Sequence, residues 1–106
     1  MVLEIAQIDV KFGSESEFEA AVATAVSLFK SAKGCRSMEL QRSIEKPRRY
    51  RLFVEWETLE HHTVDFRASP HFQEWRSLVG HCFDGPPEVE HMVRVVDGFD
   101  QMPRPL

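Results

Sequence analysis

The segment CRSMELQRSIEKPRRYRLFVEWE, residues 35–57, decides the fold. It holds two alternating runs joined by a short proline turn. In Cys35–Glu45, Met38, Leu40 and Ile44 point one way and Ser37, Glu39, Gln41 and Ser43 the other. In Tyr50–Glu57, Tyr50, Leu52, Val54 and Trp56 share a face. Side chains alternate across a strand with period two, so each run predicts a strand with one buried face. With Lys46-Pro47-Arg48 between them, the pair predicts an antiparallel hairpin.

Upstream, Phe18, Val22, Ala25, Phe29 and Ala32 recur at helical spacing. Ser14 followed by Glu17 is a capping-box pattern at the helix start, and Gly34 is placed to close the helix. Before it, Val2–Lys11 mixes Ile5, Ile8 and Val10 with Glu4, Gln7 and Asp9 and predicts a strand. Downstream, Thr58 opens a helical piece over Leu59–Arg67. Ser69-Pro70 restarts the helix, with Ser69 as cap and Pro70 in the first helical position. Phe72, Trp75, Leu78, Val79 and Cys82 make its apolar stripe, and Asp84-Gly85-Pro86-Pro87 ends it. Glu88–Asp97 predicts a last strand, with Val89, Val93 and Val95 in register.

The order is β-α-β-β-α-β, which predicts a ferredoxin-like α+β domain over residues 1–98. Residues 99–106 form a proline-containing tail with too little to pack alone. Right-handed crossovers put both helices on one face of a four-stranded antiparallel sheet. The other face carries Phe53 and, by alternation, Met92 or Val93, so it needs cover. A second copy packed sheet to sheet supplies it, and a homodimer is expected. Glu55 would then be buried and paired with Arg51 or Arg94.

With 106 residues the chain is one domain, and its net charge of −4 argues against nucleic acid as the main partner. The 28% of charged residues is ordinary for a folded domain. No apolar run approaches the ~20 residues that span a bilayer. No signal peptide is visible, and the two cysteines, Cys35 and Cys82, are read as free thiols of a cytoplasmic protein. Neither a His-x-x-x-His pair nor a Cys-x-x-Cys motif occurs, so no metal site is expected.

The chemistry concentrates between Val54 and Phe83, where most of the ring systems fall. The candidate catalytic group is His62, four residues before Phe66 and therefore on the same helix face. Its ordinary pKa lies near neutrality, which suits a general base. Trp56, Phe66, Phe72, Trp75 and Phe83 are candidate walls of an aromatic slot, although large rings most often serve as core. Arg67 could orient an anionic substrate, and His71 in a first helical turn could contact a ligand while neutral. Cys82 reads as a buried, inert thiol.

The chain resembles the antibiotic biosynthesis monooxygenase-like family, dimeric α/β barrels of the ferredoxin-like class. The resemblance is carried by Phe53-Val54-Glu55-Trp56-Glu57, Leu59-Glu60-His61-His62, Ser69-Pro70-His71-Phe72 and Val89-Glu90-His91. It implies a pocket between helices and sheet in each subunit. It also implies a monooxygenase that needs no cofactor, acting on a small aromatic or quinone-like molecule. Many relatives carry histidine three residues before the Ser-Pro break, where this chain has Phe66. The family also includes haem-degrading enzymes, but their asparagine corresponds at best to Gln7. Two further readings are a ligand-binding or stress-response dimer without turnover, and a haem-binding protein.

Overall fold

The computed structural model describes residues 1–103. The last three residues of the expected 99–106 tail lie outside the described residues. Four strands and two helices follow in the order β1 (Val2–Asp9), α1 (Glu15–Lys30), β2 (Cys35–Arg42), β3 (Arg49–Trp56), α2 (Pro70–Val79), β4 (Glu88–Met92). A π-turn, His61–Phe66, precedes α2, and a short 3₁₀ turn, Gly80–Cys82, follows it. The sheet order is β2-β3-β1-β4, with every pairing antiparallel. This is the expected ferredoxin-like α+β fold.

The sheet's two faces separate by residue parity. On the helix side lie Glu4, Ala6, Ile8, Tyr50, Leu52, Val54 and Trp56, all buried. The helices add Phe18, Val22, Ala25, Phe29, Phe66, Trp75 and Val79 to the same core. Phe18 tilts against Tyr50, and Trp75 meets Phe29 edge-on. Among the described residues no element covers the other face. It carries half-buried Leu3, Ile5 and Phe53 together with exposed Met92. Within the subunit Glu55 accepts the Ser37 hydroxyl at 2.9 Å, while Arg51 donates to Gln7 at 2.8 Å. Among the described residues no ion pair joins Glu55 to Arg51 or Arg94 within the subunit.

Several local expectations are corrected. The Ser14 side chain makes no capping bond; the Glu15 carboxylate instead accepts the Gly13 N–H at 2.9 Å. Helix α1 closes at Ser31, ahead of Gly34. β2 stops at Arg42, leaving Ile44 on the surface, 91% exposed. β1 stops at Asp9, and Val10 forms an isolated bridge with Phe83. β4 ends at Met92, so Val93 and Val95 have no strand to join and stand exposed. The piece after Thr58 closes as a π-turn, with Arg67 N–H donating to the His62 carbonyl five residues back at 3.2 Å. The caps at Thr58 and Ser69 form as expected: their hydroxyls accept the His61 and Phe72 N–H groups.

Gly34 has its own task. Its φ is +78°, and a Cβ there would run into the His61 ring. Its carbonyl accepts the Glu57 N–H at 2.8 Å, tying the start of the hairpin to the end of β3. A side chain at this point meets both backbone strain and a clash. Gly34→Ala is expected to destabilise the fold by about 1–3 kcal/mol. Urea titration should report this as a lower midpoint at unchanged slope.

Candidate functional site

Parity along β1 puts a carboxyl on the apolar face. Glu4 is 5% exposed, between the helices and the sheet. A buried carboxyl must find donors. The Trp56 indole N–H supplies one at 3.0 Å, and His62 Nε2 lies 3.3 Å from the same oxygen. Strand pairing sets the first contact, since Val2 and Glu4 of β1 stand opposite Trp56 and Val54 of β3. The π-turn sets the second by turning His62 inward, where it is 3% exposed and stacks on the Trp56 ring at 5.3 Å. From the other side β4 brings His91 opposite Glu4, and its Nε2 lies 2.8 Å from His62 Nδ1. The result is a row of polar contacts, hydrogen bonds at its two ends and a 3.3 Å contact in the middle: Trp56, Glu4, His62, His91.

Burial moves the titrations apart in an unusual direction. Loss of water pushes the Glu4 carboxyl up to about 7, opposed by the Trp56 hydrogen bond and the Arg67 charge. The same loss pulls His62 down to about 4, aided by Arg67 and His91. His91 is lowered too, by burial and then by Arg67. The group poised near neutrality is thus Glu4, and His62 stays uncharged. Between about pH 4 and pH 7 the Glu4–His62 pair holds a single proton.

Tautomers follow from the row. If His62 Nδ1–H donates to His91, His62 Nε2 is free to accept the Glu4 O–H. If His91 Nε2–H donates to His62 Nδ1, His62 Nε2 carries hydrogen and donates to a Glu4 carboxylate. Both patterns match a donor to an acceptor at each contact between His62 and its two neighbours. His62 has both ring nitrogens engaged, at 3.3 Å and 2.8 Å, so neither is free to serve as an axial haem ligand.

Beside this row lies a cavity of about 640 Å³ between sheet and helices. Of the residues expected from the sequence, His62, Arg67, Phe72, Trp75 and Phe83 line it. Trp56 and Phe66 do not; they pack beneath His62, with ring centroids 5.3 Å apart. His71 is half-buried in the first turn of α2 and is not on the wall. Glu4 and Arg76 line the cavity as well. Elsewhere, Glu17, His81 and Cys82 bring three donor atoms within 4.8 Å of one another. His81 is bonded there to Glu17 at 2.9 Å, and burial pushes the Cys82 thiol up, so it stays protonated. Both cysteines are free.

Glu4 and His91 were missed by sequence reasoning. The available signal was strand parity. Glu4 falls in step with buried Ala6, Ile8 and Val10, and His91 with Val89, so each puts a polar group on the sheet face that bears the cavity.

These features define a ferredoxin-like α+β domain with a polar row beside a half-apolar cavity. The sequence profile of the antibiotic biosynthesis monooxygenase family matches residues 1–78, and the chain belongs to that family. It is 42% identical over 91 residues to the uncharacterized protein YczJ of Bacillus subtilis, covering 86% of this chain and 96% of that one. A crystal structure from Bordetella bronchiseptica, of a protein provisionally named an antibiotic biosynthesis monooxygenase, superposes with a TM-score of 0.88. It shares 55% identity, covering 90% of this chain and 97% of its own. SnoaB, a cofactor-independent oxygenase from Streptomyces nogalater, shares the fold at a TM-score of 0.78 and 19% identity, over 91% of this chain and 94% of its own. Among the described residues no helix is long and apolar enough to cross a membrane.

The opposed shifts make a stability prediction. Glu4 alone, held at about 7 against an ordinary 4.5, weakens the fold as pH rises from 4.5 to 7. His62 alone, held at about 4 against 6.5, weakens it as pH falls from 6.5 to 4. The unfolded chain also carries one proton on these two groups between about 4.5 and 6.5, so in the native protein the effects cancel there. Glu4→Gln should therefore lose stability toward acid, and His62→Gln toward neutrality, each on the order of 3 kcal/mol. Urea midpoints across that pH range check both slopes; parallel profiles for the two variants would contradict the pairing.

Proposed function

We propose that the protein is a cofactor-independent monooxygenase that binds a small phenolic or quinol-like aromatic in the helix–sheet cavity. The observation that carries this is the buried Glu4–His62 pair on the cavity wall. Cofactor-free oxygenation leaves the hard step to the substrate: once deprotonated, an electron-rich phenolate can reduce dioxygen itself. The protein must supply a base and a site that excludes water.

The pair supplies the base. With Glu4 ionised, it takes the phenolic proton and returns to its one-proton state. The phenolate passes one electron to dioxygen, and the radical and superoxide join through a new C–O bond para to the phenolic carbon. The para C–H proton passes to the outer peroxide oxygen as the O–O bond breaks, which gives a quinone and hydroxide. The pair returns its proton to the departing hydroxide, which leaves as water. The sum is phenol plus dioxygen to quinone plus water, with the pair unchanged. His91 acts on the pair as a positioning residue, since its ring decides which His62 nitrogen carries hydrogen.

Oxygen uptake with a panel of phenols and naphthols tests this reading. The expected rate rises with pH through about 7, as Glu4 ionises. Glu4→Gln and His62→Ala should each lower it by about 10²-fold or more. Binding without uptake across the panel would exclude the monooxygenase and leave a ligand-binding domain; full uptake in both variants would exclude the Glu4–His62 pair as its base.

The same reading takes residues 1–98 as a single cytoplasmic domain working as a homodimer. The support is the uncovered sheet face, where Leu3, Ile5, Phe53 and Met92 lie together. A charge placed there should prevent pairing. Phe53→Glu is expected to halve the mass measured by light scattering; an unchanged mass would remove this interface.

A further inference from the structure

Two guanidinium groups remain unexplained by a base and an aromatic slot. Arg67 follows the π-turn and Arg76 lies on α2, and both line the cavity. Both are exposed, whereas Glu4 and His62, which line the same cavity, are buried. The positive groups therefore lie toward solvent and the proton-handling pair lies at the base. Neither arginine makes a salt bridge or a side-chain hydrogen bond among the described residues. Other arginines of this chain do find carboxylates: Arg49 clasps Asp9 at 2.8 Å and 3.2 Å, and Arg42 reaches Glu19 at 3.3 Å.

The wall offers these two cations little compensation. Glu4 is the one carboxyl among the lining residues, and it is uncharged below about pH 7. The Arg67 charge nevertheless reaches the row, acting on Glu4, His62 and His91 alike. The rest of the lining is ring, hydrocarbon and Gly-Pro backbone. Phe72, Trp75 and Phe83 line it from the helix side, and Arg76 stands 5.9 Å from the Phe72 ring centroid. A ligand complementary to this gradient is flat and apolar in the middle, acidic at one end and phenolic at the other. Guanidinium is suited to a carboxylate because its planar fork matches the two oxygens.

We propose that the cavity takes an aromatic acid, with its carboxylate held by Arg67 and Arg76 at the mouth and its phenolic end at Glu4 and His62. This rests on the phenol-binding reading above and narrows its substrate class.

The test compares hydroxynaphthoate with hydroxynaphthamide, its uncharged isostere, by calorimetric titration of the full chain at pH 7. The acid is expected to bind about tenfold or more tightly, and its advantage should shrink as sodium chloride is raised. In the Arg67→Gln/Arg76→Gln double variant the advantage should fall below about threefold, while the amide binds as before. Equal affinity for acid and amide, an advantage that survives in the double variant, or failure of both to bind would each overturn the inference. A charge-dependent preference without oxygen uptake supports this inference and removes the monooxygenase reading. Oxygen uptake from phenols with equal binding of acid and amide does the reverse.

Discussion

A carboxyl group taken out of water must be held by donors or kept protonated, and Glu4 is both. Its side chain stands on the sheet face that otherwise carries Ala6, Ile8, Leu52 and Val54. The Trp56 N–H and the His62 ring occupy its surroundings, and His91 backs His62. Three strands and the π-turn must be in place for this row to exist. The row gives the cavity its chemistry, because the apolar surroundings raise the carboxyl to about 7 and depress the imidazole to about 4. In water the order would be reversed, with the imidazole the stronger base.

The π-turn explains how a single histidine serves a sheet and a cavity together. Residues 61–66 close with a bond from Arg67 N–H to the His62 carbonyl. His62 and Phe66 both point inward, one onto the row and the other onto Phe29 and Trp56. Wide turns of this kind are often found at functional sites. Here the consequence is local: Arg67 leaves the turn beside the cavity, so its charge acts on the whole row. Gly34 supports the same region from below, since only a residue without Cβ leaves room for the His61 ring.

The fold was legible because its signals are periodic. Alternation in the Cys35–Trp56 hairpin and the Phe18-Val22-Ala25-Phe29 stripe each describe one buried face, and those faces meet. Ends of elements were less legible. Val93 and Val95 have strand-forming side chains, but the pairing with β1 stops at Leu3 opposite Met92. Ser14 and Glu17 have capping identities, yet the bond to Gly13 comes from Glu15. At the site, His62 and the rings of α2 stood out by residue type. Glu4 did not, because Ile5 was grouped with Ile8 and Val10 across two parities. His91 lay outside the ring-rich segment, and only the register between β1 and β4 joins it to Glu4. Trp56 and Phe66 looked like walls because they are large, but the stacking of His62 on Trp56 puts them one layer deeper.

The central claim is that Glu4, and not His62, changes charge near neutrality. Carbon-13 resonance of the Glu4 side-chain carboxyl, followed through a pH titration of the folded protein, measures this directly. The account predicts a midpoint close to 7, with the His62 ring remaining neutral until the pH approaches 4. A Glu4 midpoint in the ordinary carboxylate range, near 4.5, with His62 titrating near 6.5, would contradict it.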